Sequence, residues 1–165
     1  MRVFVILFAL VAGALSGCAS VQMASVEADT GAKQFVPRKG YSNIYFYRNE
    51  TFGAAVAMTV SLDGRVVGRT GPQTYFLWEV APGRHEIASH TENTAKITID
   101  AKEGRNHYVL QEVKMGMWQP GSLLHEVNEE EGKKGVLECK RAAEGGVSLG
   151  PVAPEQAARA GYRGC

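Results

Sequence analysis

The sequence predicts an all-β fold, a small antiparallel β-sandwich of about 7–8 short strands with one short C-terminal helix. Two observations carry this prediction. Short segments rich in Val, Ile, Tyr and Phe recur about every 8–12 residues, and turn signals containing Gly, Asp or Pro separate them. No strand–helix–strand pattern is present, so nothing in the sequence favours a parallel sheet.

The predicted strands are short, and several alternate between apolar and polar residues. The clearest turn signal is Asp63-Gly64, because a two-residue type I′ hairpin turn needs positive φ at both positions and this pair tolerates it. The segments with the strand pattern are residues 43–48, 56–62, 65–69, 74–80, 85–90, 95–100, 106–114 and 122–127.

The predicted helix begins after Asn128. The side chain of Asn128 can accept a hydrogen bond from the first turn, and Glu131 follows at capping-box spacing. Gly132 and Gly135 should each cost this helix about 1 kcal/mol relative to alanine. A short helix that ends near Lys140 is therefore expected.

The chain divides into four predicted segments. Residues 1–17 form an export signal, and residues 18–40 are polar, lack an apolar period and are expected to be a flexible tether. A flexible tether of this length spans about 25 Å on average. Residues 41–140 form the β domain, and residues 141–165 are an Ala/Gly/Pro-rich tail that is expected to be mobile.

The N-terminus has the layout of an export signal. Arg2 supplies a positive charge, residues 3–15 are apolar, and small residues follow. As a helix, the apolar run would be roughly 20 Å long, which is too short for a hydrocarbon core of about 30 Å. A signal that is removed is therefore predicted instead of a transmembrane helix.

Leu15-Ser16-Gly17-Cys18 closes this signal and resembles the lipobox of bacterial lipoproteins. The resemblance implies cleavage between Gly17 and Cys18, a diacylglycerol thioether on Cys18 and a fatty acyl chain such as palmitate on its new amino group. Two or more chains of this kind give stable anchoring. Ala19 after the cysteine implies, by the same resemblance, a place on the periplasmic face of the outer membrane of a Gram-negative bacterium. An ordinary secretory signal is the alternative.

The formal charge of the chain is close to zero. It has 18 Lys and Arg residues against 17 Asp and Glu residues, and the loss of Arg2 with the signal makes the mature side chains neutral. Nucleic acid is not expected as a partner, because a basic patch is missing. The lipid on Cys18 is expected to hold the protein at the membrane without help from basic residues.

Two cysteines remain once Cys18 carries lipid. Cys139 and Cys165 are a candidate disulfide in an oxidising compartment, and the bond would add about 3 kcal/mol by restricting the unfolded chain. The alternative is a buried thiol at Cys139 and a free terminal thiol at Cys165. Spacing in the sequence leaves both open.

Motifs of catalytic, cofactor and metal sites are missing from the sequence. His85 and His90 lie an odd number of positions apart on one predicted strand, so they should point to opposite faces, and no zinc-ligand spacing surrounds them. There is no Gly-x-Ser-x-Gly elbow and no glycine loop for phosphate. We therefore predict no catalytic residue, no metal, no cofactor and no enzymatic activity.

A set of motifs in the β domain matches a known family pattern. The matching residues are 44–48, 60–68, 75–76, 80–87, 104, 107–109 and 129–134. On these motifs, residues 41–140 resemble the DUF2846 family of bacterial lipoproteins, a family defined by a domain of unknown function. The resemblance implies a small β fold and assigns no activity, and the Asp-Gly turn followed by Pro-Gly-x-His is also similar to PEGA-type β domains. The tail after Lys140 departs from the family pattern.

These observations favour a structural or adaptor lipoprotein that binds another envelope protein. A sheet edge or the loop around Trp118 is the expected contact, because small antiparallel sheets can bind an added strand. A glycan- or peptidoglycan-binding module is the alternative, in which Trp118 and a tyrosine would stack on sugar rings. Trp78 lies within an apolar strand and is expected in the core.

Overall fold

The computed structural model describes residues 21–51, 56–91, 93–115 and 120–145. No described helix is long and apolar enough to cross a bilayer. Within these ranges, the elements in chain order are α1 (Val26–Ala32), β1 (Ser42–Arg48), β2 (Met58–Leu62), β3 (Arg65–Thr70), β4 (Thr74–Val80), β5 (Gly83–His90), β6 (Thr94–Ala101), β7 (Asn106–Met115), β8 (Pro120–Val127), α2 (Glu129–Leu137) and β9 (Lys140–Arg141).

The strands form two packed sheets, which confirms the predicted all-β sandwich. Sheet 1 has the strand order β8-β7-β1-β4-β9, and sheet 2 has the order β3-β2-β5-β6. Most neighbours are antiparallel, but β1 pairs in parallel with β7, and β4 pairs in parallel with β9. The two parallel pairs were not expected from the sequence. The β1–β7 pair arises because the chain leaves sheet 1 after β4, builds β5 and β6 in sheet 2, and returns as β7 in the direction of β1.

The core between the sheets is apolar. It follows from the alternation of the strands, since every second residue of a strand points to the same face. Phe46, Phe76 and Trp78 form its aromatic centre, with ring centroids 5.6–5.8 Å from Trp78. Trp78 is 4% exposed, as predicted. The other buried residues of this core are Ile44, Val60, Val80, Ile87, Ile99, Ala101, Val109 and Ala142.

The opposite face of sheet 1 is also buried, under the two helices. Four tyrosines form its centre, and we call them the tyrosine layer: Tyr45, Tyr47, Tyr75 and Tyr108. Strand β1 lies in the middle of sheet 1 and is buried at every position, because it serves both cores. This explains its unbroken run of aromatic and apolar residues.

Helix α2 lies very close to the tyrosine layer. The side chain of Asn128 accepts a hydrogen bond from the Glu131 amide at 3.0 Å, which confirms the predicted cap. A Cβ on Gly132 would lie 2.1 Å from Tyr108, and a Cβ on Gly135 would lie 2.1 Å from Tyr47. These glycines therefore lower the helix propensity but permit the close approach.

The turn at Asp63-Gly64 has the predicted geometry. Asp63 has φ 49° and Gly64 has φ 77°, both positive as a type I′ turn requires. The Asp63 carboxylate also accepts a hydrogen bond from the Glu86 amide at 2.9 Å and contacts His85 Nδ1 at 2.7 Å. The hairpin is thereby joined to the neighbouring strand β5.

The prediction of a flexible tether is wrong for residues 21–40. They contain α1, which Ser25 caps by accepting a hydrogen bond from the Ala28 amide at 3.2 Å. The segment is bonded to the domain: the Tyr45 hydroxyl donates to the Ala32 carbonyl at 2.7 Å. The segment is held to the domain mostly by polar contacts. It therefore has no apolar period, and the sequence pattern gave no sign that it is folded.

The predicted tail is part of the fold as far as residue 145. Strand β9 joins β4, Met23 forms an antiparallel bridge with Ala142, and the Gly145 amide donates to the Val67 carbonyl at 3.0 Å. The segment thus crosses from sheet 1 to the edge of sheet 2. Residues 146–165 and the predicted signal, residues 1–17, lie outside the described part of the chain.

A candidate binding groove beside an open strand edge

A groove lies on the helix-covered face of sheet 1, and its cavity volume is about 540 Å³. Its floor consists of outward-facing residues of two paired strands, Asn43 and Tyr45 of β1 and Leu77 and Glu79 of β4. Glu79 is exposed and Leu77 is half-buried. Asn43 and Tyr45 are buried, so the floor offers the apolar side chain of Leu77 and the carboxylate of Glu79.

The first wall of the groove is α1 and the residue Val36 that follows it. The helix presents Ala28, Gly31 and Ala32, and a Cβ on Gly31 would meet nothing within 4 Å. Val36 is 76% exposed. Small residues keep this wall thin, and the space in front of Gly31 is open.

The opposite wall is formed by Arg141 and Glu144. The guanidinium of Arg141 donates to the carbonyls of Ala28 at 3.3 Å and Leu77 at 3.4 Å. Its partners there are backbone carbonyls and not carboxylates. Arg141 thus bridges α1 and β4 with a charge that a ligand in the groove would meet.

Strand β4 has an open edge beside this wall. Strand β9 pairs only with Thr74 and Tyr75, and the last backbone bond on this side runs from the Ala142 amide to the Tyr75 carbonyl at 2.8 Å. From Phe76 to Val80, β4 has no strand neighbour on this side among the residues that the structure describes. An unpaired strand edge of this kind can accept another strand.

Asp29 holds α1 in place. Its Oδ1 accepts hydrogen bonds from the Tyr75 hydroxyl and the Arg141 amide, both at 2.9 Å, and its Oδ2 accepts one from Lys33 Nζ at 2.9 Å. Burial acts to raise the pKa of Asp29, but the hydrogen bonds from Lys33, Tyr75 and Arg141 together lower it below its ordinary value. The groove wall therefore depends on an ionised carboxylate.

The aromatic ring in the groove is not free to bind a ligand. Tyr45 is fully buried, and its ring stacks on Tyr108 with centroids 5.3 Å apart. Burial raises the pKa of Tyr45 to about 12. Its hydroxyl is already bonded to Ala32. No described residue of the groove offers an aromatic face for a sugar ring to stack on.

Most of the predicted site residues lie outside the described residues. These are Gly17 and Cys18 of the lipobox, Trp118 of the β7–β8 loop, and Cys165. Lipidation and the binding loop stay predictions. Cys139 is a buried thiol that donates to the Arg48 carbonyl at 3.4 Å, and burial raises its pKa to about 12. Since Cys165 is not described, the candidate disulfide also stays a prediction.

Sequence reasoning missed a polar cluster between the sheets. Gln111 donates to Ser89 Oγ at 2.7 Å and accepts from Thr70, and Arg48 donates to the Val56 carbonyl at 2.7 Å. All four side chains are fully buried. Thr70, Gln111 and Ser89 are bonded to one another and Arg48 is bonded to backbone, so these buried groups stabilise this end of the sandwich. The signal in the sequence was that four strands, β1, β3, β5 and β7, each carry a polar residue at an inward-facing position.

The histidines do not form a metal site among the described residues, where no group of three His, Cys, Asp or Glu side chains could hold an ion. His85 and His90 lie on opposite faces of β5, since Ile87 on the face of His85 is in the core. His90 is bonded to Ser61 Oγ at 2.8 Å. Burial lowers the pKa of His90 below its ordinary value.

Comparison with known proteins places the chain in a family. The family model described as "Protein of unknown function (DUF2846)" matches residues 38–122. An uncharacterized protein of Haemophilus influenzae is 37% identical over 130 residues, which cover 78% of this chain and 77% of that protein. No solved structure matches. The floor of the groove lies within the matched residues and α1 and Arg141 lie outside them. The chain therefore belongs to the DUF2846 family, as the resemblance of residues 41–140 predicted.

Proposed function

We propose that this protein is a non-enzymatic, lipid-anchored protein of the cell envelope that binds an extended segment of another envelope protein. The bound segment would lie in the groove and pair with the open edge of β4. The observation that carries the proposal is the junction of the two features. Leu77 and Glu79 of β4 line the groove, and they lie in the stretch Phe76–Val80, which pairs with β1 on one side and has no strand neighbour on the β9 side among the described residues.

The open edge suits strand addition. Five strand residues extend about 17 Å, enough for several backbone hydrogen bonds. Added backbone bonds give affinity, and pockets for alternate side chains give specificity. The Arg141 guanidinium donates a hydrogen bond to the Leu77 carbonyl. An incoming strand would displace this one side-chain bond and gain several backbone bonds. The cost of opening this edge is therefore small.

The charges around the groove suit a peptide of mixed composition. Arg141 stands on one wall, and the carboxylates of Glu79 and Glu144 flank the floor. Val36 and Leu77 add apolar surface for an alternate side chain of the segment. Exposed pairs of charges contribute selectivity and encounter rate more than affinity.

The alternative is a glycan- or peptidoglycan-binding module. The exposed carboxylates of Glu79 and Glu144 in the groove are of a kind that binds sugar hydroxyls. Sugar recognition through aromatic stacking would have to come from Trp118, outside the described residues, because Tyr45 is fully buried. The protein partner is therefore the better supported proposal.

The location of the protein rests on Cys18. Lipid on this residue would hold the protein at the periplasmic face of an outer membrane, where the partner would also reside. Replacing Cys18 by alanine should move the protein from the membrane fraction to the soluble fraction or leave the signal uncleaved. Unchanged mass and unchanged fractionation of Cys18→Ala would contradict the lipid anchor.

The partner can be identified by site-specific photo-crosslinking in intact cells. Benzoylphenylalanine replaces Val36 or Glu79 at the groove, and Asp100 is the matched control because it is an exposed acidic strand residue of β6, in the other sheet. We expect one envelope protein to crosslink at both groove positions and not at Asp100. Equal labelling at all three positions would contradict the proposal. Retention of the protein on purified peptidoglycan without protein crosslinks would favour the glycan-binding alternative.

A further inference from the structure

The chain enters the fold almost directly after the proposed lipid attachment site. The Ala24 amide donates to the Arg141 carbonyl at 2.9 Å, and the Ala143 amide donates to the Gln22 carbonyl at 2.8 Å. Met23 forms the bridge with Ala142 between these two bonds. The backbone is thus fixed to the domain from Gln22 onward.

The free length between the lipid and the domain is therefore short. Four residue steps separate Cys18 from Gln22, and a fully extended chain spans at most about 3.6 Å per residue, or about 14 Å here. The headgroup region of one leaflet is about 5–8 Å thick, so Gln22 can lie at most about 10 Å beyond it. A domain held on so short a connection cannot leave the membrane surface.

Two apolar side chains near the start of the fold, Met23 and Val26, are exposed. Met23 is 42% exposed and Val26, the first residue of α1, is 76% exposed. They lie five and eight positions after Cys18 in the sequence. Glu27 beside them is also exposed, so this surface would suit the level of the headgroups and not the hydrocarbon core.

We propose that the domain lies against the bilayer that anchors it, with Met23 and Val26 in contact with the lipid headgroup region. The inference rests on the lipidation of Cys18 proposed above. A short linker gives the surface a high effective concentration at the membrane, so that even a weak apolar contact is occupied. The start of α1 would then face the lipid, and the groove farther along α1 would open beside the membrane.

The contact can be measured by lipid-phase quenching. The lipidated full chain carries Cys165→Ser, which leaves only Cys139, and that thiol is buried. A fluorophore is attached at Val26→Cys, or at Thr98→Cys as a matched control. Threonine has the shape of valine, and Thr98 is exposed on the outer face of sheet 2. The vesicles contain phosphatidylcholine and a headgroup-level spin-labelled phosphatidylcholine.

We expect the quencher to remove most of the fluorescence at position 26 and little at position 98. Met23→Asp should restore the fluorescence at position 26, whereas Gln22→Asp, the same change at the neighbouring exposed residue, should leave it quenched. Protein that floats with the vesicles but shows equal quenching at both positions overturns this inference alone. Quenching that is unaffected by Met23→Asp also overturns the apolar contact. Protein that does not float overturns the lipid anchor, and this inference with it.

Discussion

The two faces of sheet 1 are both buried, but by different means. The face toward sheet 2 packs Ile44, Phe46 and Phe76 against apolar residues of the second sheet. The face toward the helices packs the tyrosine layer, and two of its hydroxyls bond to the covering segment: Tyr45 donates to the Ala32 carbonyl and Tyr75 to the Asp29 carboxylate. The first core is mainly apolar, with the hydrogen-bonded side chains of Thr70, Ser89 and Gln111 at one end, and the second combines apolar area with hydrogen bonds to the covering segments.

The difference between the two faces of sheet 1 indicates which of them can carry a binding site. A core between two sheets needs only alternating strands and leaves little free surface. The tyrosine layer is covered by short segments that carry small residues and polar contacts, and a gap between them is the groove. Substitutions in the two cores should therefore differ in size and in what they disturb.

The largest effect is expected in the core between the sheets. Phe46→Ala should lower the free energy of unfolding by about 3–5 kcal/mol, because it removes a fully buried ring and leaves a cavity. Urea denaturation measures the change. If the free energy of unfolding falls by less than about 1 kcal/mol, neighbouring residues must fill the cavity left by the ring. That result would contradict the close packing of this core.

An intermediate effect is expected where α2 meets the tyrosine layer. Gly135→Ala should destabilise the protein by about 1–3 kcal/mol although alanine favours helices, because its Cβ would overlap the ring of Tyr47. Gly31→Ala in α1 is the control and should be neutral or stabilise by up to about 1 kcal/mol, since its Cβ has open space. Equal effects of both changes in thermal denaturation would contradict the close approach of α2.

A smaller effect is expected from single hydroxyls of the tyrosine layer. Tyr75→Phe removes a hydrogen bond to the Asp29 carboxylate and should cost about 1–2 kcal/mol. Tyr108→Phe is the matched control, because the Tyr108 hydroxyl is buried without a hydrogen-bond partner among the described residues, and its loss should be neutral or stabilising. Guanidinium denaturation that ranks the two variants in the reverse order would refute this assignment of hydrogen bonds.

The smallest effect is a local dependence of α1 on pH. The pKa of Asp29 is lower in the folded protein than in the unfolded chain, so ionised Asp29 stabilises α1 above about pH 4. This stabilisation is lost as the pH falls through the folded pKa. The heteronuclear NOE of the Gly31 amide should therefore decrease in acid before the sandwich unfolds. In Asp29→Asn, the same NOE should not change over this pH range.

Local sequence patterns predicted the strands of the sandwich but not helix α1, which covers part of the outer face of sheet 1. The strands and the Asp63-Gly64 hairpin were predictable because alternation and turn chemistry are local properties. Helix α1 was not, because it buries only Ala32 and is held by contacts such as that of Lys33 with the Cys139 carbonyl at 2.7 Å. The parallel pairing of β1 and β7 depends on a crossover through the other sheet, which no local pattern reports.

The groove could not be predicted for the same reason. It is assembled from α1, β1, β4 and the segment after α2, which are distant in the sequence. The Gly132 and Gly135 pair illustrates a related limit. Helix propensity alone indicates a weak helix, whereas the structure shows that the missing side chains make room for Tyr108 and Tyr47.

Residues 21–35 are folded onto the domain, and the groove wall and the proposed membrane contact both depend on this. Amide hydrogen exchange of the mature, lipidated chain tests this most directly. The amides of Ala24 and Lys33, which donate to the carbonyls of Arg141 and Asp29, should exchange much more slowly than unstructured peptide amides. If both amides exchange at the rates of an unstructured peptide while the amides of β1 stay protected, residues 21–35 are a flexible tether. That result would contradict their folding onto the domain.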